Sequence, residues 1–361
     1  MFPKVSILWL NYNSLSFIDI VLESLQAVNE LDYPNYEIIV VDNGSTDGSF
    51  KIIRDFVDKM NVKNKVIKLD KNLGFCGGNN VAYKARDKDS KYVVLLNNDA
   101  VPYKNSLKEI IEVMENMSLL GAAQGTILRY DEKTVDTSGD YIDEIFGVHL
   151  LFEGEVKTLK KPIYTTYADG AYSFYKVNAI KQSLRSDKLF YDVMFSQYED
   201  VLLGLKLWNN GYKVMSLPFL TAKHNRSSSF RKVRSTHIYF TVRNKVIVNE
   251  ISNSRYKKYL KALLYRGLYL WKLKLLRLRK EKLEEYPFET PILLFKAIKN
   301  GEKIGEIMRK RIGRINIYCA PILKIDIQKS FLGFIFRQKI EEYVKGELNK
   351  IKEMFAYEGV K

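Results

Sequence analysis

Short runs of apolar residues alternate with amphipathic segments along the first 120 residues of the chain. Buried strands are predicted by the apolar runs at residues 5–10, 38–41, 66–69 and 92–96. Between them, apolar residues recur at every third or fourth position, which predicts helices beginning near residues 14, 47–49, 78 and 104. This repetition of strand and helix predicts a doubly wound α/β domain with a parallel sheet.

The pattern changes after residue 120 and again near residue 230. The predicted elements of the middle part are strands at residues 124–128, 171–176 and 213–217 and helices at residues 178–184 and 201–210. Asn178 is expected to cap the first of these helices, and Pro218 is expected to end the last strand. Beyond them the chain is helical and basic. We therefore expect an α/β domain over residues 1–230 and a basic helical region over residues 231–361.

Polar residues directly follow three of the predicted strands. They are Asn11, Tyr12 and Asn13 after the first, Asp42 and Asn43 after the second, and Asn97, Asn98 and Asp99 after the strand at residues 92–96. Because the carboxyl ends of parallel strands meet at one edge of a sheet, we expect these side chains to form a site there. Oxygen donors at such an edge suit Mg²⁺ or Mn²⁺ together with a phosphorylated ligand.

The loops at this edge have structural alternatives. For Asn97, Asn98 and Asp99 the alternative is a cap for the helix at residues 104–116. The loop that begins at Asp42 could accept hydrogen bonds from a nucleobase or a ribose, or it could simply form a turn and a helix cap. The glycine-rich segment 72–80 could bring its backbone close to an anionic ligand, or it could be a flexible turn. Its glycine spacing differs from that of a dinucleotide-binding fingerprint.

Acidic and imidazole side chains at two later positions are also candidates for chemistry. Glu199 and Asp200 begin a predicted helix, where acids are electrostatically favourable, but one of them could also serve as a general base. His224 is one of three histidines and could be a metal ligand or a core residue.

Composition limits the class of protein. A hydrophobic content of 46% argues against a disordered chain. Cys76 and Cys319 show neither disulfide nor metal spacing, which is typical of a reducing compartment. The chain begins on a strand with no signal peptide, and no run of about 18 apolar residues predicts a membrane span.

Taken in order, the polar motifs resemble those of the inverting family 2 glycosyltransferases of GT-A fold, in particular the rhamnosyltransferase-like branch. The matching positions extend over residues 4–226 and are Asn11-Tyr12-Asn13, the Asp42–Asp47 loop, Asn72 and Gly74 with Asn79 and Asn80, Asn97-Asn98-Asp99, Asp169-Gly170-Ala171, Glu199-Asp200 and His224. The resemblance implies a nucleotide-diphosphate sugar as donor and a glycan or lipid-linked hydroxyl as acceptor.

The resemblance also implies a role for each motif. Asp42 would contact the nucleobase, and Asp99 would hold a Mg²⁺ or Mn²⁺ ion that bridges the donor diphosphate, with His224 completing the metal shell. Asp200 would be the catalytic base, and Glu199 would orient hydroxyls of the acceptor or sugar. The acceptor side of the sugar pocket would be lined by Asp169, Gly170 and Ala171. The other nucleotide-sugar-binding residues would be Asn11, Tyr12, Asn13, Asn43, Asn72, Gly74, Asn79 and Asn98.

The net charge of +16 is concentrated in the last third of the chain. Residues 226–361 contain 32 Lys and Arg against 13 Asp and Glu, whereas residues 1–225 contain 26 against 29. Residues 255–280 combine basic and apolar residues without any acid, which predicts a basic amphipathic helix on an anionic membrane surface. The alternative is a helix docked on the preceding domain. A second apolar segment, residues 327–335, is too short to span a bilayer.

These features predict a cytoplasmic enzyme that is peripheral to the inner face of the cell membrane. A sugar-nucleotidyltransferase is an alternative, but it should carry a basic glycine-rich loop after the first strand, where this chain has Asn11, Tyr12 and Asn13. A nucleic-acid-binding protein is the non-enzymatic alternative. Only the charge of the tail supports it, so nucleic acid is an unlikely partner.

Overall fold

A computed structural model describes residues 2–226, 234–277, 289–325 and 337–358 of the chain. Its strands are β1 (Val5–Asn11), β2 (Tyr36–Asp42), β3 (Lys63–Lys68), β4 (Tyr92–Asn97), β5 (Ala100–Pro102), β6 (Leu120–Arg129), β7 (Val135–Thr137), β8 (Asp140–Ile142), β9 (Val148–Leu150), β10 (Lys157–Leu159), β11 (Ile163–Tyr164), β12 (Tyr172–Lys176), β13 (Lys213–His224) and β14 (Ala356–Glu358). Its α-helices are α1 (Ile18–Asn29), α2 (Ser49–Val57), α3 (Gly74–Ala85), α4 (Ser106–Asn116), α5 (Val177–Leu184), α6 (Glu199–Asn209), α7 (Arg234–Ile251), α8 (Lys257–Arg277), α9 (Glu289–Ile312) and α10 (Arg337–Phe355).

The main sheet has the strand order β11-β13-β6-β12-β4-β1-β2-β3. Its first four strands in sequence, β1 to β4, pair in parallel, which confirms the predicted α/β domain. The sheet as a whole is mixed, because β12 runs antiparallel to both of its neighbours, β4 and β6. The sheet is therefore parallel over β1 to β4, as predicted for the first 120 residues, and β6 and β13 form a further parallel pair.

The strand register brings the polar strand ends together. Asn11 lies opposite Asp42 in the β1–β2 pair, and Leu10 lies opposite Asn97 in the β1–β4 pair. The strands themselves are almost fully buried, so only these terminal side chains can contribute a polar site. The predicted gathering of strand ends at one edge of the sheet is confirmed.

Three details of the secondary structure differ from the sequence prediction. The glycine-rich segment is not a flexible turn, because α3 begins at Gly74 and packs tightly. A Cβ added to Gly78 would lie 2.4 Å from the Leu10 side chain, so this glycine lets α3 approach β1 closely.

β13 continues past Pro218, because its pairing with β6 is irregular between Ser216 and Leu220 and tolerates a residue without an N–H. Asn178 lies inside the first turn of α5 and does not cap it.

The C-terminal region is helical, as predicted, and it packs on the α/β part. Ile247 and Ile251 of α7 belong to the same buried apolar cluster as Leu8 of β1 and Leu205 of α6. The boundary at residue 230 stays a prediction, and the apolar segment 327–335 lies outside the described residues. Among the described helices, none has the length and apolar character needed to cross a bilayer.

Candidate functional site

Asn11 is the central residue of the strand-end cluster. Its amide nitrogen donates to Asp42 Oδ1 at 2.8 Å, and its amide oxygen accepts from Asn98 Nδ2 at 3.1 Å. Asp42 Oδ2 accepts from the backbone N–H of Ser45 at 3.0 Å. Asn11 and Asp42 are fully buried and Asn98 nearly so. These contacts fix the shape of the loops after β1, β2 and β4 with respect to one another.

The loop after β1 is tied to the loop after β2. The backbone N–H of Asn13 donates to Ser45 Oγ at 2.9 Å, and Asn13 Oδ1 accepts from the backbone N–H of Thr46 at 2.8 Å. Asn13 has a positive φ of 48°, a conformation that asparagine tolerates better than most residues. Tyr12, which lies between Asn11 and Asn13 in the sequence, is 37% exposed, so its ring is free to contact a ligand at this edge.

The asparagines of segment 72–80 bind other parts of the protein. Asn72 Oδ1 accepts from the Gly74 N–H at 2.7 Å and from Asn43 Nδ2 at 3.0 Å. Asn79 donates within α3, and Asn80 accepts from two backbone N–H groups of the segment that precedes α6. All four side chains therefore have a structural part in the fold, and the predicted role of Asn43, Asn72, Gly74 and Asn79 in donor binding stays a prediction.

Asp99 and His224 meet because β5 pairs with the end of β13. In that pairing His224 lies opposite Ala100, and His224 Nε2 lies 3.2 Å from Asp99 Oδ1. On the other side of the imidazole, Nδ1 lies 2.9 Å from Asp136 Oδ2. All three side chains are at most 8% exposed. A carboxylate behind the imidazole holds the ring and its tautomer in the way that metal-binding histidines require.

Asp99 and His224 would offer a divalent cation one carboxylate and one imidazole. Burial opposes the charged form of His224, but hydrogen bonds to Asp136 and Asp99 raise its pKa to about 10. The two carboxylates therefore favour the protonated form of the imidazole. Within the described residues no group of three or more acidic, histidine or cysteine side chains forms a complete metal site. Asp99 and His224 would need the oxygens of a bound diphosphate to complete a shell, as Mg²⁺ commonly does.

Arg226 connects this trio to the loop that begins at Asp169. Its guanidinium Nε lies 2.7 Å from Asp136 Oδ1, and Nη2 donates to Asp169 Oδ2 at 3.1 Å. Asp169 Oδ1 in turn accepts from the Ala171 N–H at 2.7 Å. The two carboxylates raise the pKa of the arginine even though its burial opposes the charge. Arg226 therefore carries a permanent positive charge, and its bond to Asp169 fixes the Asp169-Gly170-Ala171 loop.

Asp200 lies against that loop at the start of α6. Its carboxylate accepts from the backbone N–H groups of Val201 and Gly170, and a Cβ on Gly170 would lie 4.0 Å from Asp200 Oδ2. Burial, followed by the charge of Asp169, raises the pKa of Asp200 to about 7. A partly accessible carboxyl group with a pKa near neutrality has the properties of a general acid or base.

Glu199 points away from Asp200 into apolar surroundings. Its side chain lines a narrow gap together with Leu189, Met194 and Leu202, and its Oε2 atom has no hydrogen-bond partner. Burial and the neighbouring charge of Asp200 raise its pKa well above the usual range. These surroundings therefore favour the protonated form of the Glu199 carboxyl group. The predicted role of Glu199 in orienting sugar hydroxyls stays a prediction, and its surroundings do not supply a polar pocket for one.

Sequence reasoning missed Asp136, Arg226 and Asp140. Asp140 is completely buried beside Asp169, and burial raises its pKa well above the usual range. Asp136 and Asp140 lie in short strands with no recognisable motif. Arg226 comes only two residues after His224, and that proximity was the one signal available in the sequence.

Together these features define an α/β protein with a polar site built from the carboxyl ends of parallel strands, an acid–histidine pair and a carboxyl group that titrates near neutrality. Residues 6–184 match the family model described as glycosyl transferase family 2. The chain belongs to the family 2 glycosyltransferases, and its α/β architecture is the GT-A fold predicted from the sequence.

Two curated relatives illustrate the range of this family. The putative teichuronic acid biosynthesis glycosyltransferase TuaG of Bacillus subtilis is 27% identical over 132 residues, which are 37% of this chain and 50% of the relative. A Methanococcus voltae enzyme, named as a dolichyl N-acetyl-alpha-D-glucosaminyl phosphate 3-beta-D-2,3-diacetamido-2,3-dideoxy-beta-D-glucuronosyltransferase, is 24% identical over 207 residues, or 56% of this chain and 61% of the relative. The matches span about half the length of these relatives, and they do not specify the rhamnosyltransferase-like branch.

Among solved structures, the mannosyltransferase PcManGT of Pyrobaculum calidifontis, in complex with GDP-Man and Mn²⁺, aligns with 98% of this chain and 88% of its own. The TM-score is 0.49 and the sequence identity is 16%.

Proposed function

We propose that this chain is an inverting, metal-dependent glycosyltransferase. It would move a hexose or deoxyhexose from a nucleotide-diphosphate sugar to a hydroxyl group of a glycan or a polyprenyl-linked acceptor. The observation that carries the proposal is a continuous polar chain from Asp99 through His224, Asp136 and Arg226 to Asp169. This chain joins a candidate metal site to the loop against which the candidate base, Asp200, lies.

The donor would bind at the ends of β1, β2 and β4. Asp42 is fully buried and already holds Asn11 and Ser45, so it would shape the nucleotide pocket as well as contact the base. Asp99 and His224 would hold the metal ion on the diphosphate side. A bound Mg²⁺ or Mn²⁺ would neutralise the negative charge that develops on the leaving nucleotide. Metal binding through His224 would require the neutral imidazole.

Asp200 would act on the acceptor. In its ionised form it would accept the proton of the incoming hydroxyl while the oxygen attacks the anomeric carbon from the face opposite the leaving group. The configuration at that carbon is then inverted. The pKa of about 7 places the base where proton transfer at neutral pH is efficient. Asp169 and Arg226 would set the position of the Gly170 N–H that holds the base.

The test of this function is nucleotide release from a panel of UDP-, GDP- and dTDP-sugars with Mn²⁺ or Mg²⁺ and simple glycoside or polyprenyl-phosphate acceptors. Release by the wild type from one donor, and its loss in Asp200→Asn, would support the proposal and name the sugar. If no donor binds and none is consumed, the proposal is wrong. The family match already favours glycosyl transfer over the alternative of nucleotidyl transfer.

We further propose that α8 brings the enzyme to the cytoplasmic face of the membrane. The beginning of α8 is docked, since Leu260 is 3% exposed and Lys261 pairs with Glu250. Further along the helix, Tyr269 is 62% exposed and Leu270 is 51% exposed. Basic and apolar residues on one exposed segment suit an anionic lipid surface. The name of the Methanococcus voltae relative includes a dolichyl-linked sugar phosphate, and this supports an acceptor in the membrane.

Sedimentation with vesicles tests this attachment. Binding to phosphatidylglycerol-containing vesicles, but not to neutral phosphatidylcholine vesicles, and its loss at high salt would support it. A double substitution of Tyr269 and Leu270 by Ser should weaken the binding. Binding to duplex DNA that exceeds binding to anionic vesicles at the same salt concentration would instead favour a nucleic-acid partner.

A further inference from the structure

The segment that leads into the candidate base has an unusual backbone. Phe195, Gln197 and Tyr198 have φ angles of +59°, +77° and +65°, although none of them is glycine. Each such residue is strained and persists only when its surroundings enforce it. Tyr198 is the residue before α6, and Glu199 and Asp200 follow it directly. The strain is therefore stored immediately before the carboxyl group that would act as base.

Asn244 of α7 is the main contact of this segment from the C-terminal region. Its Nδ2 atom lies within hydrogen-bond distance of three carbonyl oxygens, those of Met194 at 2.8 Å, Ser196 at 2.8 Å and Gln197 at 2.7 Å. The side chain is completely buried. The left-handed residues turn these carbonyl groups away from regular secondary structure. The amide group of Asn244 supplies hydrogen bonds to them, and this offsets part of the free-energy cost of the strained backbone.

Arg243 extends the same contact. Its Nη2 atom donates to the carbonyls of Val193 at 2.6 Å and Met194 at 2.8 Å, and its Nε atom donates to Asn244 Oδ1 at 2.8 Å. Arg243 is 8% exposed and has no acidic partner among its hydrogen bonds in the described structure. The guanidinium also lies over the Phe240 ring, 4.5 Å from its centroid, so its contacts hold segment 193–198 against α7.

The opposite side of the segment is held by α3. The Phe195 carbonyl accepts from the Cys76 N–H at 3.0 Å, and a Cβ on Gly74 would lie 2.4 Å from that carbonyl oxygen. The Phe195 ring stacks on Phe240 of α7 with 4.6 Å between centroids. The segment is therefore clamped between the glycine-rich start of α3 and the middle of α7.

We propose that Arg243 and Asn244 are positioning residues for Asp200, acting through the strained segment 193–198 rather than by contact with substrate. This proposal rests on the function proposed above. If the clamp is loosened, the left-handed residues can relax and the first turn of α6 shifts. Asp200 then moves away from the Gly170 N–H that holds its carboxylate. A displacement of about 1 Å in a catalytic group can cost a factor of about 10² in rate.

The test compares Asn244→Ala with Asn249→Ala. Asn249 lies on the same helix and is equally buried, but its side chain donates to the Lys257 carbonyl, away from segment 193–198. We expect kcat of Asn244→Ala to fall about 10–100-fold while the donor Kd changes less than about threefold. Asn249→Ala should keep its kcat. Hydrogen exchange of peptides covering residues 192–202 should become faster in Asn244→Ala only.

An unchanged kcat in Asn244→Ala would overturn the proposal, and so would an equal loss in both variants. If Asn244→Ala does not fold, Arg243→Lys is the second variant. It keeps the charge and most of the stem but loses the forked contacts, and the same fall in kcat at constant donor Kd is expected. A wild type that neither binds nor consumes any donor counts against the proposed function, whereas an active wild type with an unaffected Asn244→Ala counts against the clamp alone.

Discussion

His224 Nδ1 lies 2.9 Å from the Asp136 carboxylate, while its Nε2 atom lies 3.2 Å from Asp99. The three residues come from separate parts of the chain, and they meet because β6 lies between β7 and β13 and β5 pairs with the end of β13. Asp136 therefore determines which way the imidazole faces. A histidine oriented by one carboxylate toward a second is arranged to share a cation with it.

Replacement of Asp136 by Asn should weaken metal binding. The asparagine can still accept or donate one hydrogen bond to the imidazole, but it no longer supports the basicity of His224 or balances Arg226. We expect the affinity for Mn²⁺ in the presence of nucleotide diphosphate to fall about 10–100-fold. Titration calorimetry or Mn²⁺ electron paramagnetic resonance measures this without any turnover.

Asp143→Asn is the matched control for that experiment, because Asp143 also pairs with a histidine, His149, at 2.9 Å. That pair has no proposed metal role. Equal Mn²⁺ affinity in wild type and Asp136→Asn would show that Asp136 does not support the metal ligand.

Asp200→Asn should remove most of the turnover and leave donor binding largely intact. The amide has the same shape but cannot accept the acceptor proton, and positioned base catalysis typically contributes a factor of about 10²–10⁴. Steady-state kinetics together with donor binding by calorimetry separate the two effects. Full activity in this variant would exclude Asp200 as the base.

The transfer rate should rise with pH through about 7. Burial and the charge of Asp169 raise the folded-state pKa of Asp200 to about 7, and only the ionised form can accept a proton. Below this value the rate should therefore fall by about tenfold for each pH unit, and above it the rate should reach a plateau. The measurement is log kcat against pH at saturating donor and metal. A profile that stays flat from pH 5 to 9 would contradict the assignment.

The same shift predicts an effect of Asp200 on stability. Because its pKa is raised in the folded state, the folded protein favours the protonated form. The free energy of unfolding therefore decreases as the pH rises from the unfolded pKa of about 3.9 to the folded value. Asp200→Asn should remove this decrease, so its melting temperature should exceed that of the wild type at pH 8 and approach it at pH 4. A difference that is independent of pH would argue against a raised pKa.

Glu199→Gln should be tolerated much better than Asp200→Asn. Burial among apolar side chains favours the protonated form of the Glu199 carboxyl, and glutamine has nearly the same size and remains uncharged. We expect kcat to stay within about threefold of the wild type, since no charge that the reaction uses is lost. A loss as large as that of Asp200→Asn would support the role in orienting hydroxyls that the family resemblance implies.

The alternation of apolar and amphipathic segments was sufficient to predict most of the amino-terminal fold. The strands β1, β2 and β4 and the polar residues at their ends were predictable because a buried strand of a parallel sheet has a nearly continuous apolar run. The start of α3 at Gly74 was not predictable, because glycine usually interrupts a helix. Here Gly78 is needed for the close approach to β1, a packing requirement that no local pattern shows.

The sequence by itself indicated part of the candidate site, since the chemistry of Asp42, Asp99, Asp200 and His224 depends on residue type and on position after strands or before helices. It gave no signal for Asp136 or Asp140. The tertiary structure alone decided how they are held. The pairing of β5 and β13 placed His224 on Asp99, and α7 supplied Asn244 to the strained segment before Asp200. Contacts between residues far apart in the sequence leave no periodic signal. Strain before the proposed base, Asp200, becomes visible only when backbone angles and their distant partners are known together.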